Sequence, residues 1–376
     1  MEKKLKSTIC VHQGQKTDKY RGINTPIYTS TSYAYLDTDE RMYPRYFNIP
    51  NQQALIEKLS KLENAESGLI YSSGMAAIST TLLSLLNKGD HIIFQQGIYG
   101  GTVNFVKNDF QRFGIDYSIL SSNDLNILSD SIKENTKIIY IESPSNPLLT
   151  IVDLREISKI CKSKNIISVI DNTFASPINQ NPIDFGIDIV LHSATKYLSG
   201  HSDISSGIVL SSKELIDKIR NTSLNFGGTL NALMCYLLER SIKTLSIRVT
   251  KQNENAQKIA DFLDNHPKVT KVYYPGLANH IGHEIAKKQM TGFGGMLSFE
   301  IKKQNNYDFQ KRLELIKPSM SLGGVETTIC APSLTSHRHM TKTERKNVGI
   351  SDNLLRLSVG IEDISDLIQD LENALK

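Results

Sequence analysis

Between residues 68 and 210 the sequence repeats one pattern: a short continuous apolar run, a turn, and a stretch long enough for a helix. The apolar runs fall at 68–72, 91–95, 117–120, 137–142, 166–171, 187–192 and 207–210. They do not alternate apolar with polar residues, so each suits a strand buried on both faces. The intervening stretches at 75–87, 101–113, 124–135 and 153–164 are long enough to cross a sheet and return the next strand parallel to the last. This alternation predicts an α/β fold around a mostly parallel sheet with flanking helices.

The flanks of this unit read differently. Residues 1–50 are polar, rich in Thr, Ser and Tyr, and lack sustained periodicity, which suggests an extended N-terminal arm that must dock on something. From Asn51 the spacing of Leu55, Leu59 and Leu62 marks a helix that opens a large domain over 51–245. Beyond it come a long polar helix at 250–265, a strand at 271–274, a helix, a strand at 295–301 and a further helix, which suggest a smaller α+β domain over 246–376. A chain of 376 residues exceeds the size at which one core keeps growing, so two domains are expected. No proline-rich linker or repeat separates them, which favours packed domains and a site between them.

Charge and motif content exclude several classes of function. The 43 basic and 39 acidic residues are scattered, giving +4 without a basic stripe, so no nucleic-acid partner is expected. No run approaches the roughly 18 apolar residues of a membrane span. The lysines of the N-terminal MEKKLKST precede no apolar stretch, and a soluble cytoplasmic protein is the expectation. Cysteines 10, 161, 235 and 330 lie far apart and are expected to be reduced and structural. His280 and His283 stand three apart without an accompanying carboxylate or cysteine cluster, so no metal is expected.

The most informative segment runs from Asp188 to Asp203. An apolar strand ends in His192-Ser193-Ala194-Thr195-Lys196 and leads into Gly200-His201-Ser202-Asp203. A lysine just beyond a strand's carboxyl end sits where ligands bind in open α/β sheets; flanking hydroxyls could hold a phosphate while the amine forms a Schiff base. As one of 43 basic residues, Lys196 alone reads more readily as a solvated loop lysine and needs independent support. Upstream, the run at 166–171 delivers Asp171 to the same sheet edge, where a carboxylate could keep the ring nitrogen of pyridoxal phosphate (PLP) protonated; the alternative is a turn or N-cap aspartate. Ser72-Ser73-Gly74-Met75-Ala76-Ala77 forms a strand-to-helix turn of the kind that favours anions. Tyr99 opens another helix at that edge and could cover a flat cofactor or simply pack.

Together these pieces resemble the Cys/Met-metabolism family of PLP enzymes. The resemblance is carried by Tyr43-Pro44-Arg45, SSGMAA at 72–77, YGGT at 99–102, ESPSNP at 142–147, DNTF at 171–174, SATKYLSGHSD at 193–203, SLGGVE at 321–326 and LRLSVGIED at 355–363. It implies fold type I: an arm, a PLP-binding domain with a seven-stranded sheet, and a small C-terminal domain. By resemblance, Lys196 is the Schiff-base lysine, Asp171 the ring-nitrogen partner and Tyr99 the ring-stacking tyrosine, these three being the catalytic set. Gly74, Met75, Ser193 and Thr195 would hold the phosphate, with Ser73 and Asn146 also near the cofactor. Tyr43 and Arg45 resemble arm residues that reach a neighbouring subunit's phosphate, which implies a homodimer with shared sites and, by family habit, a homotetramer. Arg356 suits the substrate α-carboxylate, with Tyr43, Asn146 and Ser321 completing the substrate contacts.

The implied activity is γ-replacement or γ-elimination on cystathionine or an O-acyl-homoserine, as in cystathionine γ-synthases and γ-lyases, with the freed Lys196 amine moving protons. Methionine or homocysteine γ-elimination, sulfhydrylation of an acylated homoserine, and cystathionine β-elimination are the alternatives within the family; a non-catalytic scaffold is the alternative outside it. Three departures bear on the choice. Gly101 stands where methionine γ-lyases resemble one another in having cysteine. Met42 stands where cystathionine enzymes tend to carry an acidic residue, and the span from Arg45 to Pro50 holds one residue more than is usual. SLGGVE resembles the γ branch rather than the β branch.

Overall fold

The computed structural model describes residues 4–302, 305–338 and 340–376. The chain opens with α1 (Lys6–His12), follows an open path to α2 (Pro50–Glu63), and enters the alternating unit. That unit runs β1 (Ser67–Tyr71), α3 (Gly74–Leu85), β2 (His91–Phe94), α4 (Gly100–Phe113), β3 (Asp116–Ile119), α5 (Leu125–Asp130), β4 (Thr136–Glu142), α6 (Leu154–Ser163), β5 (Ile167–Asp171), α7 (Ser176–Asn179), β6 (Ile189–Ser193) and β7 (Gly207–Ser211). The seven strands form one sheet in the order β1-β7-β6-β5-β4-β2-β3. All pairings are parallel except those of β7, which runs against both β1 and β6. The reversal brings the start of β7, at Gly207, to the sheet edge where β1 and β6 end.

Strands β2, β6 and β7 are buried almost throughout, as continuous apolar runs require. Helices α8 (Lys213–Phe226), α9 (Ala232–Ile242) and α10 (Leu245–Asp264) follow. The remaining chain forms β8 (Val269–Tyr273), α11 (His283–Gln289), β9 (Met296–Ile301), α12 (Asn306–Arg312), β10 (Lys317–Pro318), β11 (Thr328–Cys330), α13 (Lys342–Asn347), β12 (Leu354–Ser358) and α14 (Ile364–Leu375). Its sheet has the order β10-β11-β12-β9-β8, and only β10 and β11 pair in parallel. One apolar core lies around the first sheet and another around the second; α10 feeds Leu245 and Val249 to the former and Ala256, Ile259 and Leu263 to the latter.

Some sequence expectations needed correction. The N-terminal segment is not wholly an extended arm, because Ile9 and Cys10 of α1 are buried in the large core; seven residues are too few to display a helical period. The long polar helix begins at Leu245 rather than 250, since Leu245 and Val249 pack as core residues. The stretch at 124–135 is helical only over Leu125–Asp130: Ser129 and Ser131 turn their hydroxyls onto the carbonyls of Leu125 and Ile127, and Ser131 ends the helix. Helices α8 and α9 and the strands β10 to β12 had no counterpart in the periodicity reading. The four cysteines are buried and unpaired. No helix among the described residues is long and apolar enough to cross a membrane.

Candidate active site

Lys196 lies in the turn that follows β6. Its N–H donates to the carbonyl of Ser193 at 3.1 Å, and its own carbonyl accepts from Gly200 N–H at 2.8 Å, so the backbone on both sides is fixed. Nζ donates to Ser321 Oγ at 2.8 Å, across 125 residues of chain. Burial draws the amine's pKa down to about 8, the positive charge of Arg356 adds to this, and Asp171 opposes it. An amine near pKa 8 is neutral in an appreciable fraction at physiological pH, as a nucleophile or base requires.

Asp171 ends β5 at the level of Glu142 in β4 and Leu191 in β6. It keeps part of its surface open and accepts the N–H of Thr173 at 3.0 Å; the hydroxyl of Thr173 in turn accepts the N–H of Ser193 at 2.8 Å. Burial raises the Asp171 carboxyl above the usual range, against Thr173's hydrogen bonds and the charges of His192 and Lys196. Glu142, beside it, is raised well above by burial and by Asp171, while its carboxyl accepts the N–H of Tyr99 at 2.7 Å. Two enclosed carboxyls side by side call for a countercharge. The stronger donor set lies on Asp171, which of the two is the one better held in its charged form.

The anion cradle forms where β1, β6 and β7 meet. Ser73 caps α3 by accepting the N–H of Ala76 at 3.1 Å, leaving the first N–H groups of a 12-residue helix without intrahelical acceptors. A side chain at Gly74 would put its Cβ 2.9 Å from Ser193 Cβ, and one at Gly207 would meet the Ser73 carbonyl at 2.0 Å. Both glycines therefore permit a close approach of three segments. Thr195 joins this edge through reciprocal bonds with Ser206, and Met75 sits half-buried in the first turn of α3.

A second cluster faces Lys196 from β12. Arg356 is 5% exposed; Nη1 donates to Asn146 Oδ1 at 3.0 Å and Nη2 to the carbonyl of Ser321 at 2.9 Å. Its Nε is buried and has no acceptor among the described residues. His337 lies close by, its imidazole pushed down to about 4 by burial and by Arg356 and Arg345, and so neutral. The structure thus brings Asn146, Lys196, Ser321 and Arg356 into one connected group.

Tyr99 is 42% exposed, and a Cβ added at Gly101 would meet its ring at 2.4 Å. The absence of a side chain at 101 is what lets the ring take this position. Tyr43 and Arg45 stand elsewhere: Arg45 donates to the carbonyl of Leu224 in α8 and lies over the rings of Tyr43 and Tyr46. Within one chain Arg45 therefore contacts the end of α8, with Tyr43 beneath its guanidinium. His280 and His283 place their Nδ1 atoms against the carbonyls of Ile281 and Pro275. Sequence reasoning missed Glu142 as a distinct group, though its place as the last residue of a strand adjacent to the one ending in Asp171 was a usable signal.

The enclosed aspartate, the lysine of lowered pKa, the glycine-lined cradle and the unpartnered arginine donor fit PLP in charge and in shape. The family model described as "Cys/Met metabolism PLP-dependent enzyme" matches residues 7–376. The chain is 45% identical over 375 residues to a cystathionine beta-lyase of Lactococcus lactis subsp. cremoris, covering 98% of each. It is 42% identical to a cystathionine gamma-lyase of Bacillus subtilis, covering 99% of each. It is also 40% identical to an L-methionine gamma-lyase of Fusobacterium nucleatum subsp. nucleatum, covering 100% of this chain and 99% of the relative. A crystal structure of cystathionine gamma-lyase from Lactobacillus plantarum complexed with L-serine superposes with a TM-score of 0.95 at 38% identity, covering 99% and 98% of the two chains. The chain therefore belongs to the Cys/Met metabolism family, as a fold-type I, PLP-dependent enzyme of sulfur amino-acid metabolism.

Proposed function

We propose that the chain catalyses γ-elimination or γ-replacement on cystathionine or an O-acyl-homoserine. Lys196 would hold PLP covalently, Asp171 its ring nitrogen, and Ser73, Gly74, Met75, Ser193 and Thr195 its phosphate, with Tyr99 over the ring and Asn146 beside it. When bound, PLP supplies the electron-accepting ring that lets an amino acid lose its α-proton. The substrate carboxylate docks on Arg356, whose Nε has no acceptor among the described residues and whose fork is already oriented by Asn146 and Ser321. Lys196 Nζ, released from the cofactor when the substrate amine takes its place and held by Ser321, would then take and return protons at the α- and β-carbons, and Tyr99, at the open side, would assist proton transfer to the leaving group.

One observation favours a long substrate with a distal ammonium. A cavity of about 460 Å³ lies beside the Lys196 and Ser321 segments, lined by Thr195, Ser202, Asp203, Ser321 and Glu326 among others. The carboxylates of Asp203 and Glu326 suit the distal ammonium of cystathionine, a role for which Met42 is unfit. β-Elimination on the same substrate is the second reading, favoured by the 45% identity to a cystathionine beta-lyase. Incubation of the holoenzyme with L-cystathionine separates the two. γ-Elimination with water gives cysteine, 2-oxobutanoate and ammonia, which is the expected result; homocysteine and pyruvate would overturn the γ assignment.

We also propose a division into an N-terminal arm (1–50), a PLP-binding domain (51–245) and a C-terminal domain (246–376), supported by the two apolar cores. Tyr20, Ile23, Tyr35 and Leu36 are each at least 69% exposed, which favours an arm covered by a second copy of the chain and Tyr43 and Arg45 serving that copy's site. A homotetramer built from such dimers completes the reading.

A further inference from the structure

Arg248, in the first turns of α10, is 3% exposed, and among the described residues no carboxylate pairs with it. A cation out of water without an anion is costly, and it persists only where other groups hold it. Four of its five N–H groups are occupied. Nη1 donates to the carbonyl of Tyr197 at 2.8 Å; Nη2 donates to the carbonyls of Leu198 at 3.4 Å and Ser241 at 3.0 Å; Nε donates to Thr244 Oγ1 at 3.2 Å. The Ser241 carbonyl belongs to the negative end of α9, and those of Tyr197 and Leu198 belong to the turn just after Lys196. That turn is built around the guanidinium: Gly200 has φ +71°, and a Cβ there would lie 1.9 Å from Arg248 Nη1.

One helical turn later, Gln252 is fully buried and donates to the carbonyl of Gly324 at 2.7 Å. Gly324 follows closely on Ser321, whose hydroxyl receives Lys196 Nζ. The two segments also meet directly, since Val325 N–H donates to the carbonyl of Gly200 at 2.9 Å, and a Cβ at Gly323 would lie 2.7 Å from Tyr197 N. One face of one helix therefore grips both the turn that carries Lys196 and the loop that carries its hydrogen-bond partner.

We propose that Arg248 and Gln252 are positioning residues that hold Lys196 and Ser321 in one frame and so set the direction in which Nζ delivers and removes protons. The inference rests on the reading of Lys196 as the cofactor-bearing lysine and proton carrier. Lysine at 248 keeps the charge but lacks the planar fork, whereas methionine at 252 keeps the volume but cannot donate. Proton transfer is sensitive to displacements well under the length of a bond, so exchange should slow by roughly tenfold to a hundredfold.

The test uses purified holoenzyme variants Arg248→Lys, Gln252→Met and Lys196→Ala. It measures exchange of the α-proton of L-alanine with deuterated water, expressed per bound PLP, alongside PLP content and thermal midpoint. The expected result is PLP bound near stoichiometry in Arg248→Lys and Gln252→Met with exchange per PLP slowed as above. A variant combining Arg248→Lys with Gln252→Met should be slowed by less than the product of the single effects, because both act on one frame. Wild-type exchange per bound PLP in both variants, whatever happens to their thermal midpoints, would overturn the inference. Should Arg248→Lys not fold, Gln252→Met decides alone. Undiminished exchange in Lys196→Ala would instead overturn the underlying reading, so the two failures are distinct.

Discussion

At the scale of the residue, the enclosure of Lys196 sets its chemistry. Its pKa near 8 arises first from burial and next from Arg356, against an ordinary lysine value of about 10.4. Only the neutral amine captures an aldehyde, so covalent uptake of PLP by the cofactor-free protein should accelerate with pH and level off above a midpoint near 8. Arg356→Gln removes a neighbouring cation that disfavours protonation, so the midpoint should move upward; stopped-flow absorbance reads both. A midpoint unmoved by this change would deny Arg356 its electrostatic part. The places of Lys196, Asp171 and Gly74 at one edge of the sheet were legible in the sequence because each lies at or just past the end of an apolar strand, and strand ends are where such sheets bind ligands. Arg248 and Gln252 were not, since their partners lie 51 and 72 residues away and nothing local marks a side chain that bonds to distant backbone.

At the scale of the element, α3 offers the N-terminus at which the proposed function seats the cofactor's phosphate. Ser73→Ala removes the bond to Ala76 N–H, and loss of such a cap costs about 1 kcal/mol. Gly74→Ala sets a methyl 2.9 Å from Ser193 Cβ, an overpacking on the order of 1–3 kcal/mol. That strain falls on the turn itself, so Gly74→Ala should raise the Kd for PLP more than Ser73→Ala does, whereas both lower the thermal midpoint; equilibrium dialysis and calorimetry separate the two effects. The inner strands of the first sheet could be read because burial leaves apolar runs, whereas the edge strand β3, DYSI, is exposed or half-buried along its length. Helix α1 could not, because its core contribution is only Ile9 and Cys10. Strand β12 entered the sequence reading only through resemblance, since its five residues LLRLS place a buried arginine in the middle of an apolar run.

At the scale of the whole molecule, one chain places Arg45 against its own α8, over the ring of Tyr43, and leaves much of the segment before them exposed. If these residues complete a second copy's site, mixing Arg45→Ala with Lys196→Ala protein and reassembling the mixture should give hybrids with one intact site and hence partial activity. Hybrids no more active than their parents would confine each site to one chain. The central claim, that Lys196 carries the cofactor, has a direct measurement. Reduction of the holoenzyme with borohydride, followed by proteolysis and peptide mass analysis, should find a phosphopyridoxyl group on Lys196 at close to one per chain. A group attached to any other lysine, or holoenzyme that yields no modified lysine, would contradict it.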